Sequence, residues 1–127
     1  RKPIKQKSYK LERKLKMTKA LETLYKKAQK SPKGYAFKNG RESLWGGAKG
    51  PLCKVWEIEL EEGIFKLYHY STLILKFDTK EDKILDWHIQ SMTDSRALSW
   101  AFSALGFGWK YTPHWYPSKG LAKIDGI

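Results

Sequence analysis

Residues 64–78 read IFKLYHYSTLILKFD, and their alternation sets the class of the protein. The odd positions are Phe65, Leu67, His69, Ser71, Leu73, Leu75 and Phe77; the even ones are Lys66, Tyr68, Tyr70, Thr72, Ile74, Lys76 and Asp78. Period-two alternation is the pattern of a strand with one face on a core, so the odd set points inward with His69 and Ser71 at its middle. Residues 53–60 and 83–92 read as strands on either side of it. Glu61-Glu62-Gly63 and Thr79-Lys80-Glu81-Asp82 are polar breaks of hairpin length. The three runs predict a three-stranded antiparallel sheet. On its third strand Leu85, Trp87, Ile89 and Ser91 face inward and His88 outward.

Helical patterns flank this sheet. Met17, Ala20, Leu21, Leu24, Tyr25 and Ala28 recur at the spacing of one helix face, and Ser31-Pro32 ends the run, because a residue before proline avoids the helical region. After Met92, Thr93 or Asp94 can cap a second helix, with Leu98, Ala101, Phe102 and Leu105 as its buried stripe and Gly106 as its stop. Between helix and sheet, Asn39-Gly40 signals a tight turn that would join Tyr35-Ala36-Phe37 to Leu44-Trp45. Gly46-Gly47-Ala48-Lys49-Gly50 lacks the Gly-Lys-Ser/Thr ending of a phosphate loop and reads as a connection.

Charge divides the chain of 127 residues. Residues 1–54 hold seventeen Lys and Arg against three Asp and Glu, whereas residues 55–127 hold eight against ten. The expected organisation is therefore a basic arm, residues 1–16, on a single α+β domain, residues 17–127. The arm's run, RKPIKQKSYKLERKLK, repels itself and should be loosely ordered alone. Its cations suit a phosphate backbone, where each one placed releases condensed counterions. The candidate nucleic-acid contacts are Arg1, Lys2, Lys5, Lys7, Lys10, Arg13, Lys14 and Lys16, followed by Lys19, Lys26, Lys27 and Lys30 on the outer face of the first helix.

Catalytic signatures are sparse. A serine nucleophile needs a base within hydrogen-bond reach and an oxyanion hole, but no Gly-x-Ser-x-Gly elbow surrounds Ser71. Residues i and i+2 of a strand lie roughly 7 Å apart at the backbone, so His69 and Ser71 read as inward polar groups rather than a catalytic pair. Cys53 is the only cysteine, and His69, His88 and His114 show no ligand spacing on one element, so neither metal nor cofactor is expected. Glu57, Glu59 and Glu61 share a strand face; holding magnesium there is the best enzymatic alternative, a metal-dependent nuclease. The sharper candidate is an anion pocket at the start of the second helix, formed by Thr93, Ser95 and Arg96 beside His69 and Ser71. Near the C-terminus Trp109, Tyr111, Trp115 and Tyr116 crowd together with interspersed cations. Such rings stack bases, anchor a protein interface or close a small core.

Within residues 54–106, the run Leu67-Tyr68-His69-Tyr70-Ser71-Thr72-Leu73-Ile74-Leu75, then Trp87, then Ser91-Met92-Thr93-Asp94-Ser95-Arg96-Ala97-Leu98, resembles a domain of unknown function in small proteins of phages, archaeal viruses and plasmids. The resemblance spans under half of the chain. It implies a mobile-element origin and a single unit made of the Tyr-His-Tyr strand and the helix start, and it names no activity.

The expected architecture is thus α+β: a basic N-terminal helix, a three-stranded antiparallel sheet, a second helix and an aromatic C-terminal segment. The expected function is non-catalytic binding of DNA or RNA. The alternative is a viral inhibitor that docks on an acidic host or defence protein. A lone cysteine fits a reducing, cytoplasmic setting, and no apolar run approaches the roughly 18 residues of a membrane span.

Overall fold

The computed structural model describes the backbone of residues 2–43 and 47–127, and the side chains of residues 15–41 and 47–127. The elements in chain order are α1 (Lys2–Lys30), β1 (Tyr35–Ser43), β2 (Lys49–Glu61), β3 (Ile64–His69), β4 (Thr72–Asp78), β5 (Lys83–Trp87), α2 (Met92–Ala104), β6 (Thr112–Tyr116) and β7 (Leu121–Asp125). Strands β1 to β5 form one antiparallel meander in sequence order, and β6 with β7 form a separate two-stranded sheet. The α+β class stands, but the three-stranded sheet is corrected to five strands plus two.

Three local departures account for the difference. First, residues 64–78 are two strands. The chain reverses at Tyr70 and Ser71, which hold φ at +48° and +65°. Two positive φ values in succession are what a two-residue type I′ hairpin demands; Asn-Gly usually supplies them, so Tyr-Ser gave no turn signal. Ser71 consequently sits at a hairpin tip rather than one pleat beyond His69. Second, Asn39-Gly40 is no turn. β1 runs through it and pairs with β2, with a register shift between Lys38 and Asn39. The proposed partners Leu44 and Trp45 lie outside the described residues, as does Gly46. Third, Pro117, Ser118, Lys119 and Gly120 turn the aromatic segment into the hairpin β6–β7, with Gly120 at φ +58°.

Bulges shift which residues face the core. On β4, Leu75 pairs with Leu67 and Leu73 with Tyr68, so Ile74 is an extra residue, and it is buried together with Leu75. On β5, Asp86 pairs with Lys76 and Ile84 with Phe77, leaving Leu85 over. Leu85 is 42% exposed and Ile84 turns inward instead, which corrects the alternation expected for that strand. β5 ends at Trp87, short of the expected residue 92. Ser91 caps α2 in place of Thr93 or Asp94: its Oγ accepts the Asp94 N–H at 3.1 Å.

Both helices contribute to one core. Leu21, Leu24 and Ala28 of α1 and Leu98, Ala101 and Phe102 of α2 are buried with Ile58, Phe65, Leu67, Leu75 and Phe77 of the sheet. Burying a side chain of this size stabilises by about 1.5–3 kcal/mol, which holds α1 on the sheet despite its basic composition. Tyr25 meets Phe65 and Trp100 edge-on at 5.5 and 6.1 Å, and the Trp100 indole N–H donates to Glu22 Oε2 at 3.0 Å. Gly34 sits at φ +66°, with its Cα so close to the Leu60 carbonyl that a Cβ would overlap it. The backbone of α1 runs unbroken from Lys2, so residues 2–16 are helical. No helix among the described residues is long and apolar enough to cross a membrane.

The hairpin strain is open to direct test. Changing Ser71→Gly relieves a left-handed conformation that costs a side-chain-bearing residue roughly 1–2 kcal/mol. The variant should unfold at higher urea concentration than the parent, by about 1 kcal/mol in stability.

Candidate functional site

A groove of about 1000 Å³ opens between α1, the β3–β4 hairpin and the start of α2. This is at the upper end of ordinary ligand sites, which run to about 1,000 Å³. The groove exists because β3 ends at His69, directly opposite Trp56 in the β2 register, while the chain returns after β5 to start α2 beside it.

Asp94 holds the centre. It is 6% exposed, and its Oδ1 lies 2.6 Å from His69 Nδ1, while Oδ2 accepts the backbone N–H of Gln90 at 3.0 Å. Burial works against a charge on this carboxyl. The hydrogen bonds from His69 and Gln90 and the attraction of the ring outweigh it, holding Asp94 below the ordinary carboxylate range. The His69 ring stacks on Trp56, centroids 4.1 Å apart and planes 15° apart, and lies 4.5 Å from the Tyr70 ring. Ring contacts on one hand and a carboxylate on the other fix its orientation.

An ionised carboxylate only accepts hydrogen bonds, so Nδ1 carries the proton shared with Asp94. In the neutral ring the free lone pair therefore sits on Nε2. No buried side-chain nitrogen or oxygen among the described residues lacks a partner, and Nδ1 makes the ring's hydrogen bond. His69 lines the groove, and Nε2 is the ring nitrogen left without a hydrogen bond among the described residues. The cations there come from three elements: Lys16 of α1, Lys38 of β1 and Arg96 of α2. Among the described lining residues Asp94 is the single acid. A smaller crease of about 220 Å³ continues along α1 and β1, lined by Lys19, Lys27 and Lys38 with Phe37.

The residues expected at the anion pocket divide. His69, Thr93 and Arg96 line the groove, whereas Ser71 lies exposed at the hairpin tip and Ser95 is buried in α2; neither lines it. Arg96 makes no ion pair with Asp94, whose oxygens belong to His69 and Gln90. Of the basic candidates, Lys16, Lys19, Lys26, Lys27 and Lys30 are exposed along α1. Arg1, Lys2, Lys5, Lys7, Lys10, Arg13 and Lys14 fall outside the described side chains. Among the aromatic candidates Tyr111 is 6% exposed and packs on Phe77, Phe102 and Phe107, so its ring belongs to the core and is not offered to a base. Trp115 is half-buried against the same core, Tyr116 is partly exposed, and Trp109 is 81% exposed. Glu57 accepts the Tyr35 hydroxyl at 2.6 Å and Glu59 pairs with Lys66 at 3.4 Å. No group of three His, Cys, Asp or Glu among the described residues is placed to hold a metal ion.

Sequence reasoning missed Trp56, Lys38 and the role of Asp94. The His69–Trp56 pairing becomes visible only once the Tyr70-Ser71 reversal fixes the register. Compared with known proteins, the chain matches no family model, no curated protein and no solved structure.

Asp94 should leave a signature in acid. Its folded-state value lies below the roughly 3.9 of an unfolded aspartate, so its contribution is complete above that value and is lost as pH falls through the folded one. Asp94→Asn should cost about 1–3 kcal/mol at neutral pH. In urea melts at several pH values, the gap between variant and parent should narrow below about pH 4.

Proposed function

We propose that this chain binds nucleic acid along the basic side of α1 and the groove beside it, gripping phosphates rather than reading base edges. The observation that carries this reading is the line of exposed cations Lys16, Lys19, Lys27 and Lys38, which leads into a groove whose one acid among the described residues, Asp94, is already hydrogen-bonded. Phosphate contacts need cations free of carboxylates, and these are supplied along one continuous track. The exposed Trp109 and Tyr116 offer ring faces for stacking on single-stranded bases. The resemblance over residues 54–106 supports a viral or mobile-element origin, and the lone cysteine supports action in the host cytoplasm.

A second reading, an inhibitor docking on an acidic host protein, is favoured by the apolar surface around the C-terminal hairpin, where Trp109, Tyr116 and Leu121 are all exposed. The two readings separate in a pull-down with and without nuclease treatment: a nuclease-resistant partner supports the inhibitor.

Salt titration tests the main reading. With about five phosphates neutralised, log affinity for duplex DNA should fall against log salt with a slope of about −4.5. Changing Lys19, Lys26, Lys27 and Lys30 together to Gln should flatten the slope by about 0.9 for each phosphate that is no longer neutralised. Weak binding that ignores both salt and these substitutions would sink the proposal.

The aromatic residues test a separate term. Trp109→Ala should reduce single-strand affinity by about 1–3 kcal/mol while stability stays within about 0.5 kcal/mol. Tyr111→Ala should instead destabilise the fold by about 3 kcal/mol, as loss of a core ring does.

A further inference from the structure

We propose that the groove is a ribonuclease site in which His69 is the general base for cleavage of an RNA phosphodiester by its own 2′-hydroxyl. The inference rests on the nucleic-acid reading above and deepens it by naming the substrate class and the reaction.

The geometry of the pair carries the argument. A buried carboxylate bonded to one nitrogen of a histidine whose ring lines an open groove leaves the other nitrogen to take a substrate proton. The 2.6 Å contact from Asp94 Oδ1 fixes Nδ1, and the Trp56 stack at 4.1 Å holds the ring plane. Tying β3 to α2 requires no buried charge, since packed apolar side chains of similar volume do so at equal or lower cost. The hairpin beside it is itself strained: Tyr70 and Ser71 both sit at positive φ, and Tyr70 lines the groove next to His69. Strain of this kind collects where the backbone aims a side chain at a ligand.

The choice of RNA follows from the nucleophile. Among the described residues no serine is hydrogen-bonded to His69, and in this proposal the hydroxyl that the base activates comes from the substrate. RNA carries one beside every phosphate, whereas DNA carries none. Lys16, Lys38 and Arg96 approach the groove from three elements and offset the charge that grows on the phosphoryl oxygens.

The step balances without an external reagent other than water. Nε2 of His69 takes the 2′-hydroxyl proton, and the 2′-oxygen bonds to phosphorus. The bond from phosphorus to the 5′-oxygen breaks, its electron pair staying on that oxygen. The 5′-oxygen takes a proton from a groove water, and the hydroxide left behind takes the proton from His69. The products are a 2′,3′-cyclic phosphate and a 5′-hydroxyl end, and the base returns to its starting state.

The test uses the full chain, a DNA strand carrying one internal ribonucleotide, and the all-DNA strand of the same sequence, both in EDTA. The expected result is cleavage after the single ribose with a cyclic phosphate end, an intact all-DNA strand, and similar binding of both. His69→Gln should bind as the parent does and lose about 10²–10⁴ in rate. Asp94 acts as a positioning residue, so Asp94→Asn should lower kcat with KM unchanged. Should His69→Gln fail to fold by its melting curve, Lys38→Gln, at an exposed position, must lower kcat in its place. A parent chain that binds the mixed strand with the salt dependence given above yet leaves it whole, or cleaves it only with magnesium, overturns the ribonuclease proposal and leaves the binding reading standing. Cleavage at parental rate by a folded His69→Gln overturns it equally. A chain that binds neither strand overturns both.

Discussion

The carboxylate of Asp94 joins parts of the chain that the sequence keeps apart: the last residue of β3 through His69, the loop after β5 through the Gln90 amide, and the first turn of α2 that carries it. A charge this buried persists only when hydrogen bonds replace the water it has lost, and here both oxygens are engaged. The groove takes its shape from that constraint. With His69 pinned, the β3–β4 hairpin must reverse at once, which places Tyr70 on the rim. With α2 anchored at the same point, Arg96 lines the same groove as Lys16 and Lys38.

The legible parts of the fold were those governed by hydrophobic period. The α1 stripe of Leu21, Leu24 and Ala28 and the α2 stripe of Leu98, Ala101 and Phe102 are buried as their spacing dictates, and β2 and β3 occupy runs whose alternation is plain. What escaped were features that depend on backbone conformation without the residues that usually announce it. Tyr70-Ser71 turns the chain without glycine or asparagine, and Asn39-Gly40 continues a strand where a turn was expected. The bulges at Ile74 and Leu85 each displace the alternation by one residue, which a pattern of strict period two cannot express. Of the groove's lining, His69 was singled out in the sequence as an inward polar group of a strand, and Thr93 and Arg96 as residues at a helix start. Trp56 and Lys38 were not, since they reach the groove only through strand register.

The outer face of the sheet is organised differently from the groove side. Tyr35, Lys54 and Glu57 form a short polar chain, with Lys54 Nζ 3.2 Å from the Tyr35 hydroxyl and 4.7 Å from the centre of the Phe37 ring. Acids and bases there neutralise one another, as Glu59 and Lys66 also do. Positive charge is thereby concentrated on α1 and the groove, so that the two faces of the sheet offer an approaching polyanion very different fields.

The Trp100 indole donating to Glu22 bridges 78 residues of sequence, whereas every pairing within the meander joins strands adjacent along the chain. In kinetic terms the sheet assembles by closing short loops, each with a small entropy loss, while seating α1 against α2 closes a much longer one. The helix that carries the basic track can therefore dock first on β1 and β2, its neighbours along the chain, and meets α2 only once the meander has closed.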